Sequence, residues 1–495
     1  MLVKSAGQPL ARQLAQRLAQ RIRDRLLPPG ARLPSVRQCA QQQGVSPATV
    51  VAAYDSLLAQ GLIEAVKYRG FYVKNSAIRH AVIALEAPEN RAFDAPDPDS
   101  GEALRRPSFT PQHLPVNATA LMRGMFHAQG QLPQPGMGAF PPEWLEAPFL
   151  NAAVRQVCTP AQLAQASLRY GEPAGDPALR RALARRLQAL SVPAEPEQIL
   201  TTVGATHALD IISRTLLRPG DAVLVEEPGW AIEFARLAAL GMRVLPVPRG
   251  PEGPDLDVLA GYCAQHRPRL MVSVSVLHNP TGYGLSPARA HRVLQLAQQY
   301  DFHIVEDDTY SHLAPDAAPR MAALDGLQRT LIVGGFSKIL APGWRVGFLA
   351  APTALTERLL DTKLLTTLTT PSLLEQALAL CMEQGALRRH AERMRARLGQ
   401  ARARSVELAR AAGVRFVAPP NGLFGWVDTG VDTERLAQRL LDLGYLIAPG
   451  ALFQSEHAPS TCMRINFCTT QDAAFWHTYR QIRTEFGVDG SGLRP

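Results

Sequence analysis

His303-Ile304-Val305-Glu306-Asp307-Asp308-Thr309-Tyr310 is the stretch on which the fold turns. It begins as a short run with β-branched residues and ends acidic and aromatic, as expected of a buried strand that delivers polar side chains at its carboxyl end. Thr330-Leu331-Ile332-Val333, continued by Gly334-Gly335-Phe336-Ser337-Lys338, repeats the pattern with a lysine at the exit. Working outward, Ala222-Val223-Leu224-Val225, Arg243-Val244-Leu245-Pro246-Val247 and Leu270-Met271-Val272-Ser273-Val274 are further strand candidates, separated by helix-length segments. This alternation predicts an α/β fold with a largely parallel sheet from about residue 117 onward. In such sheets ligands gather beyond the carboxyl ends of the strands. Asn279 follows one strand, Asp307 and Tyr310 the next, and Lys338 a third.

At 495 residues, with 46% hydrophobic and 19% charged residues, the composition is globular and the length calls for two or three folded units. No apolar run reaches eighteen residues, and the N-terminus is amphipathic and rich in Arg and Gln, without the apolar core of a signal peptide. A soluble, cytoplasmic protein with no membrane partner is expected. The six cysteines (Cys39, Cys158, Cys263, Cys381, Cys462, Cys468) are scattered, with no C-x-x-C pair, and are read as reduced buried thiols; no metal site is expected.

Charge is unevenly distributed. Residues 1–75 hold 11 Lys or Arg against 3 Asp or Glu, a net +8 out of +9 for the whole chain. Within them, Leu10, Leu14, Leu18, Ile22 and Leu26 recur every fourth residue, which predicts one helix ending at Pro28-Pro29-Gly30. Ser35 caps a short second helix running to Gly44, and Ser46-Pro47 opens a third through Val50, Tyr54, Leu57 and Leu58 to Gly61. Leu62 to Val66 and Phe71 to Val73 read as two strands around Lys67-Tyr68-Arg69-Gly70, a wing with a basic tip. Residues 1–75 are therefore read as a winged helix-turn-helix, 76–116, rich in Pro and acid, as a linker, and 117–485 as the second folded unit.

The second unit carries a chemical constellation. Asn279, Asp307, Tyr310, Lys338 and Arg345 follow one another at separations of 28, 3, 28 and 7 residues. Pyridoxal phosphate needs a lysine for a Schiff base, a carboxylate to keep its ring nitrogen protonated, and donors to the ring hydroxyl. Lys338, Asp307, and the pair Tyr310 and Asn279 are of these types. Its phosphate needs backbone N–H groups at a helix start and a cation, which Gly204-Ala205-Thr206 and Arg345 would provide, beside Ser337. Singly, each has a plainer reading: a surface Ser-Lys pair, a turn aspartate, an Asn-Pro-Thr-Gly turn. The joint spacing favours the chemical one.

Leu33-Pro34-Ser35-Val36-Arg37 and Gly44-Val45-Ser46-Pro47-Ala48-Thr49-Val50 resemble the DNA-binding head of the GntR regulators, over roughly residues 8–75. That resemblance implies a double-stranded DNA operator met by Ser35 and Arg37 at the second helix, by Ser46 and Thr49 at the start of the third, and by Lys67 and Arg69 on the wing. Phosphate contacts would set register, and base-edge contacts sequence choice. Pro47 stands where many relatives carry an arginine, which removes one guanine reader. The constellation resembles that of fold type I pyridoxal phosphate aminotransferases, over roughly residues 117–485, and implies a large, mostly parallel sheet domain with a smaller α+β C-terminal domain. By this likeness Tyr170, in Tyr170-Gly171-Glu172-Pro173, reaches the phosphate bound by the partner subunit, Trp230 stacks on the cofactor ring, and Arg464 takes a substrate carboxylate in a bidentate fork.

A GntR-like head joined to such a body resembles the MocR-type transcription regulators, which implies a domain-crossed homodimer. The expected function is a DNA-binding regulator that senses an amino acid, an amine or the cofactor level through aldimine chemistry at Lys338. A working amino acid aminotransferase with a DNA-binding head is the alternative from another class, because the cofactor set is complete. A cofactor-free dimerisation scaffold is a third.

Overall fold

The computed structural model describes residues 9–23, 27, 30–66, 69–74, 134–456 and 458–486. Leu26, Pro28, Pro29, Lys67 and Tyr68, the linker read at 76–116, and the start of the body at 117 lie outside them. The chain forms two compact units that divide near residue 130.

In the first unit, helix α1 spans Leu10–Arg23, α2 Val36–Gln43 and α3 Pro47–Ala59. Ser35 caps α2 in a full capping box with Gln38, and Gly44 closes it in the left-handed conformation at φ 63°. Ser46 caps α3, with Pro47 in its first turn, as the sequence indicates. Strands β1 (Ile63–Val66) and β2 (Gly70–Val73) pair antiparallel with Ile63 opposite Val73. The core gathers Leu14, Leu18, Val50, Leu57, Ile63 and Val73 around Tyr54, whose ring meets Phe71 edge-on at 4.9 Å and whose hydroxyl donates to the Pro34 carbonyl at 2.8 Å. That bond ties α3 to the turn leading into α2, and fixes the angle between the helices.

The second unit is built on an eight-stranded sheet. Its strands are β3 (Ile199–Thr202), β4 (Ala222–Glu227), β5 (Arg243–Gly250), β6 (Gly253–Pro254), β7 (Leu270–Ser273), β8 (His303–Asp307), β9 (Thr330–Gly335) and β10 (Gly347–Ala350), in the order β3-β10-β9-β8-β7-β4-β5-β6. The five strands read from the sequence, β4, β5, β7, β8 and β9, are mutually parallel. On one side antiparallel β10 follows β9, and β3, antiparallel to β10, runs with the five again; antiparallel β6 extends the other side. Apolar clusters cover both faces, so strands such as β3, β7, β9 and β10 are buried at every position.

A second sheet, β11 (Arg415–Phe416), β12 (Phe424–Asp428), β13 (Ala448–Pro449) and β14 (Cys462–Asn466), is antiparallel in the order β11-β12-β14-β13. Helices Ala386–Ala411, Thr433–Asp442 and Ala473–Thr484 accompany it, which makes the smaller α+β part. All six cysteines are free; Cys39, Cys263, Cys381 and Cys468 are buried, but Cys158 and Cys462 are only half-buried, a correction to the sequence reading. Among the described residues no metal-binding cluster occurs and no helix is long and apolar enough to cross a membrane.

Candidate active site

The carboxyl end of β8 presents three acids in sequence, and strand alternation sends them to opposite faces. Glu306 accepts from the backbone N–H groups of Met321 and Ala322 at 2.7 and 2.8 Å and from the Ser275 hydroxyl, so it anchors a helix start under the sheet. Asp308 accepts from Arg320 Nε at 2.8 Å in a fully buried pair. Asp307 points the other way. Its Oδ1 accepts from Thr309 N at 2.9 Å and from the Thr309 hydroxyl, so the described hydrogen bonds all fall on one oxygen. Burial raises its pKa, against the Thr309 bonds and the attraction of Lys338.

Lys338 lies three residues past β9, where Phe336 and Ile339 are buried and fix the turn. Its ammonium donates to the Gly138 carbonyl at 2.5 Å. Burial first, then the guanidinium groups of Arg464 and Arg345, lower its pKa to about 8 against the pull of Asp307. Tyr310 stands edge-on to Phe424 at 5.7 Å and shares a hydrogen bond with Asn279; burial holds its phenol well above the usual range. Arg464, on β14, donates from Nη1 to Asn279 Oδ1 at 2.9 Å and from Nη2 to the Gly136 carbonyl at 2.7 Å. Its guanidinium lies 4.4 Å from the Phe424 ring centroid, and its buried Nε has no partner. The two sheets therefore meet at one pocket, with Lys338 and Asp307 from the larger and Arg464 from the smaller.

Gly204, Ala205 and Thr206 open the helix Ala205–Leu216, whose N-terminus no side chain caps. Gly204 sits at φ 77°, and a Cβ there would lie 2.5 Å from Arg345 Nη2. Arg345, itself left-handed at φ 52°, donates to the Ser337 hydroxyl at 3.1 Å and to the Val203 carbonyl at 3.2 Å. Bare helix N–H groups, a hydroxyl and a guanidinium thus share one corner, an arrangement suited to a phosphate.

The other expected residues make no described hydrogen bond to Lys338, Asp307 or Arg464. Trp230 is half-buried at the start of helix Ala231–Ala239 and packs against the sheet core. Tyr170 is 82% exposed. In the head, Arg37 and Arg69 are exposed. Ser35 and Ser46 are engaged as helix caps, and the Ser46 hydroxyl lies 2.8 Å from that of Thr49. Lys67 is outside the described residues.

The segment 134–140, which carries no expected site residue, also reaches the pocket. Beyond the carbonyls of Gly136 and Gly138 that meet Arg464 and Lys338, those of Met137 and Ala139 accept from Asn466 Nδ2 at 3.0 and 2.8 Å. A Cβ on Gly136 would lie 2.5 Å from the Ala448 nitrogen, so glycine is required for this strap to seat. The stretch Leu132-Pro133-Gln134-Pro135-Gly136 reads as irregular chain in sequence, and nothing in its side chains announces that its carbonyls serve the site.

Residues 135–475 match the family model of aminotransferase class I and II, about two thirds of the chain, and residues 10–73 match that of the gntR family of bacterial regulatory proteins. The chain belongs to the class I and II aminotransferases. Members of this family depend on pyridoxal phosphate. Joined to a gntR head, this aminotransferase-family chain has the make-up of the MocR-type regulators. It is 29% identical over 450 residues to the uncharacterized HTH-type transcriptional regulator YisV of Bacillus subtilis, which covers 90% of this chain and 89% of that one. It is 33% identical over 287 residues to the 2-aminoadipate transaminase of Thermus thermophilus, covering 55% of this chain and 71% of the relative. The crystal structure of LysN, the alpha-aminoadipate aminotransferase of Thermus thermophilus complexed with N-(5'-phosphopyridoxyl)-L-leucine, aligns with a TM-score of 0.67 at 25% identity, over 74% of this chain and 94% of LysN.

Proposed function

We propose that the chain is a pyridoxal phosphate-dependent, DNA-binding transcription regulator whose effector is an amino acid or amine. The observation that carries this reading is the convergence of Lys338, Asp307, Tyr310, Asn279 and Arg464 on one pocket, in a chain that also carries a winged helix-turn-helix. The residues fit the cofactor: Asp307 keeps one carboxylate oxygen outside its bonds to Thr309, and Gly204 leaves the space a Cβ would fill beside Arg345. When bound, pyridoxal phosphate supplies an aldehyde that joins amines covalently and a ring that draws electrons from them.

The protein's part is to hold, orient and exchange. Asp307 would keep a proton on the ring nitrogen, Tyr310 and Asn279 would hold the ring oxygen, and Arg345, Ser337 and the N–H groups of Gly204, Ala205 and Thr206 the phosphate. Trp230 would lie along the ring. Lys338 is the covalent anchor, and with its pKa near 8 its amine loses its proton at modest cost close to neutral pH. An effector carboxylate would take Arg464 in a fork, replacing the Gly136 carbonyl that Nη2 holds at 2.7 Å. The carbonyls of Gly136 and Gly138 on the strap 134–140 hold Arg464 and Lys338, so an effector that takes these two side chains would release the strap, and that change in the body is the one operator affinity would follow. Such control is a coupling free energy, typically about 1–3 kcal/mol.

A homodimer belongs to the same reading. Leu168, Tyr170, Leu365 and Leu368 are 82%, 82%, 89% and 51% exposed, and a Cβ on Gly171 would lie 3.3 Å from the Thr370 carbonyl, so the first two lie close to the segment that follows Leu368. A partner covering this surface would bring Tyr170 to the neighbouring phosphate corner, and its head would be crossed over. Residues 1–75 as DNA-binding head, 76–116 as linker and 117–485 as body is the division this requires, with Arg37, Ser35, Ser46, Thr49, Lys67 and Arg69 toward the operator. Such a protein would work in the cytoplasm.

The intact Arg464 favours a second reading, turnover as an amino acid aminotransferase. Incubating the full chain with pyridoxal phosphate, amino acids and a 2-oxo acid, while following both new amino acid and operator affinity, separates the two. The regulator reading expects affinity to change several-fold with under one equivalent of product. Multiple turnovers with unchanged affinity would replace it.

A further inference from the structure

A cavity of about 680 Å³ opens beside the turn that carries His312. Arg185 and Arg186 enter it from helix Pro177–Ala189, Arg388 and Arg395 from helix Ala386–Ala411, and His312 from the turn Ser311–Leu313. The acids present are Asp316, Glu383 and Glu392, so the lining carries one net positive charge with His312 neutral. His312 is held neutral by burial, with Arg186, Arg395 and Arg320 adding to the effect and Asp316 opposing it, at a pKa of about 3.

The acids are weak rivals for a ligand. Arg185 meets Glu383 at 3.1 Å and Arg388 meets Glu392 at 2.9 Å with side chains 42–72% exposed, and Arg186 meets Asp316 at 2.9 Å with the acid 55% exposed. Exposed pairs of this kind are worth only about 0–1 kcal/mol, so the guanidinium groups turn to another anion at little cost. Half-buried Arg395 has no carboxylate among its described bonds; it donates to the Ala314 carbonyl at 3.0 Å. Planar guanidinium groups from two helices that line one cavity suit an anion with several oxygens.

We infer that this cavity is a second ligand site, for a small multivalent anion such as a phosphorylated or polycarboxylate metabolite, held by Arg186, Arg388 and Arg395. It adjoins the cofactor pocket through covalent neighbours. His312 follows Tyr310 by two residues, and its ring lies 5.6 Å from that of Phe336, two residues before Lys338. Occupancy would therefore also be felt at the cofactor; this second arm rests on the function proposed above, while binding itself does not.

The test is titration calorimetry of the full chain, saturated with pyridoxal phosphate, with pyrophosphate and separately with citrate. The variants are Arg395→Gln, the exposed Arg388→Gln and, as a locator, Arg345→Ala, each checked for native circular dichroism. The expected result is saturable binding of one anion per chain, weakened at least about tenfold by Arg395→Gln and by Arg388→Gln and unchanged in Arg345→Ala. Stronger binding of pyrophosphate would mark a phosphorylated ligand, and of citrate a polycarboxylate. Binding lost in Arg345→Ala but kept in the other two would place the anion in the cofactor pocket and overturn the inference, as would no saturable binding of either probe. A shift in the cofactor's visible absorbance on saturation, absent in Arg395→Gln, supports the coupling; binding without any shift refutes the coupling alone.

Discussion

Lys338 shows how burial and neighbouring charge set reactivity. A lysine attacks an aldehyde only as the free amine, and here burial and the two arginines disfavour the charged form while Asp307 favours it. The balance puts the change near pH 8 rather than at the ordinary lysine value near 10.4. Capture of pyridoxal phosphate by cofactor-free protein should rise about tenfold per pH unit below pH 8 and level off above it. Stopped-flow absorbance measures this, and a rate still climbing at pH 10 would contradict it. Arg464 makes a complementary prediction. Arg464→Ala should abolish the response to carboxylate-bearing effectors while leaving cofactor absorbance in place, because Arg464 touches Asn279 and Gly136 but not the phosphate corner. Equal responses to an amino acid and its decarboxylated amine in the native chain would remove the proposed role.

At the scale of the element, the end of β8 is held by the pair beneath it. Arg320 and Asp308 are both buried, and Arg320 also donates to the carbonyls of Asp316 and Ala318 at 3.2 and 3.0 Å. Arg320→Leu strands a buried carboxylate and should cost about 3–5 kcal/mol of stability by chemical denaturation. Restoring much of that loss by adding Asp308→Leu would fit the account; a loss below about 1 kcal/mol would not. In the head, Ser35→Ala removes the α2 capping box and should cost about 1 kcal/mol, read by hydrogen exchange within the full chain. Much of this level was legible in sequence, because caps and strand exits are local. Ser46-Pro47, Gly44 and the β8 and β9 exits announce themselves through residue types that few other positions need. Strands β3 and β10 did not, since Ile199–Thr202 and Gly347–Ala350 are four residues long and gain their identity from tertiary pairing. The strap at 134–140 was invisible for another reason. It acts through backbone carbonyls, which every residue has, and only the close approach of Gly136 to Ala448 leaves a mark on the sequence.

For the whole molecule, charge and chemistry are divided between the parts. Residues 1–75 carry a net +8, and the remainder is nearly neutral. DNA affinity should therefore fall steeply with salt, and Arg37→Ala should lessen the slope of log K against log salt by about 1 if Arg37 meets a phosphate. The reach of sequence reading ends at the assembly: Tyr170 is placed by the chain on its own surface, 82% exposed, and its expected role depends on a second copy. The most direct measurement is binding of the full chain to the DNA upstream of its own gene, at fixed salt, for the native protein and Lys338→Ala, with absorbance spectra of both and an amino acid effector added. The account predicts that the native protein binds specifically, shows the cofactor's visible absorbance and changes its affinity with the effector, and that Lys338→Ala loses the absorbance and the response. Specific binding with the same response in both proteins, or no specific binding in a native protein that turns over amino acids, would contradict it.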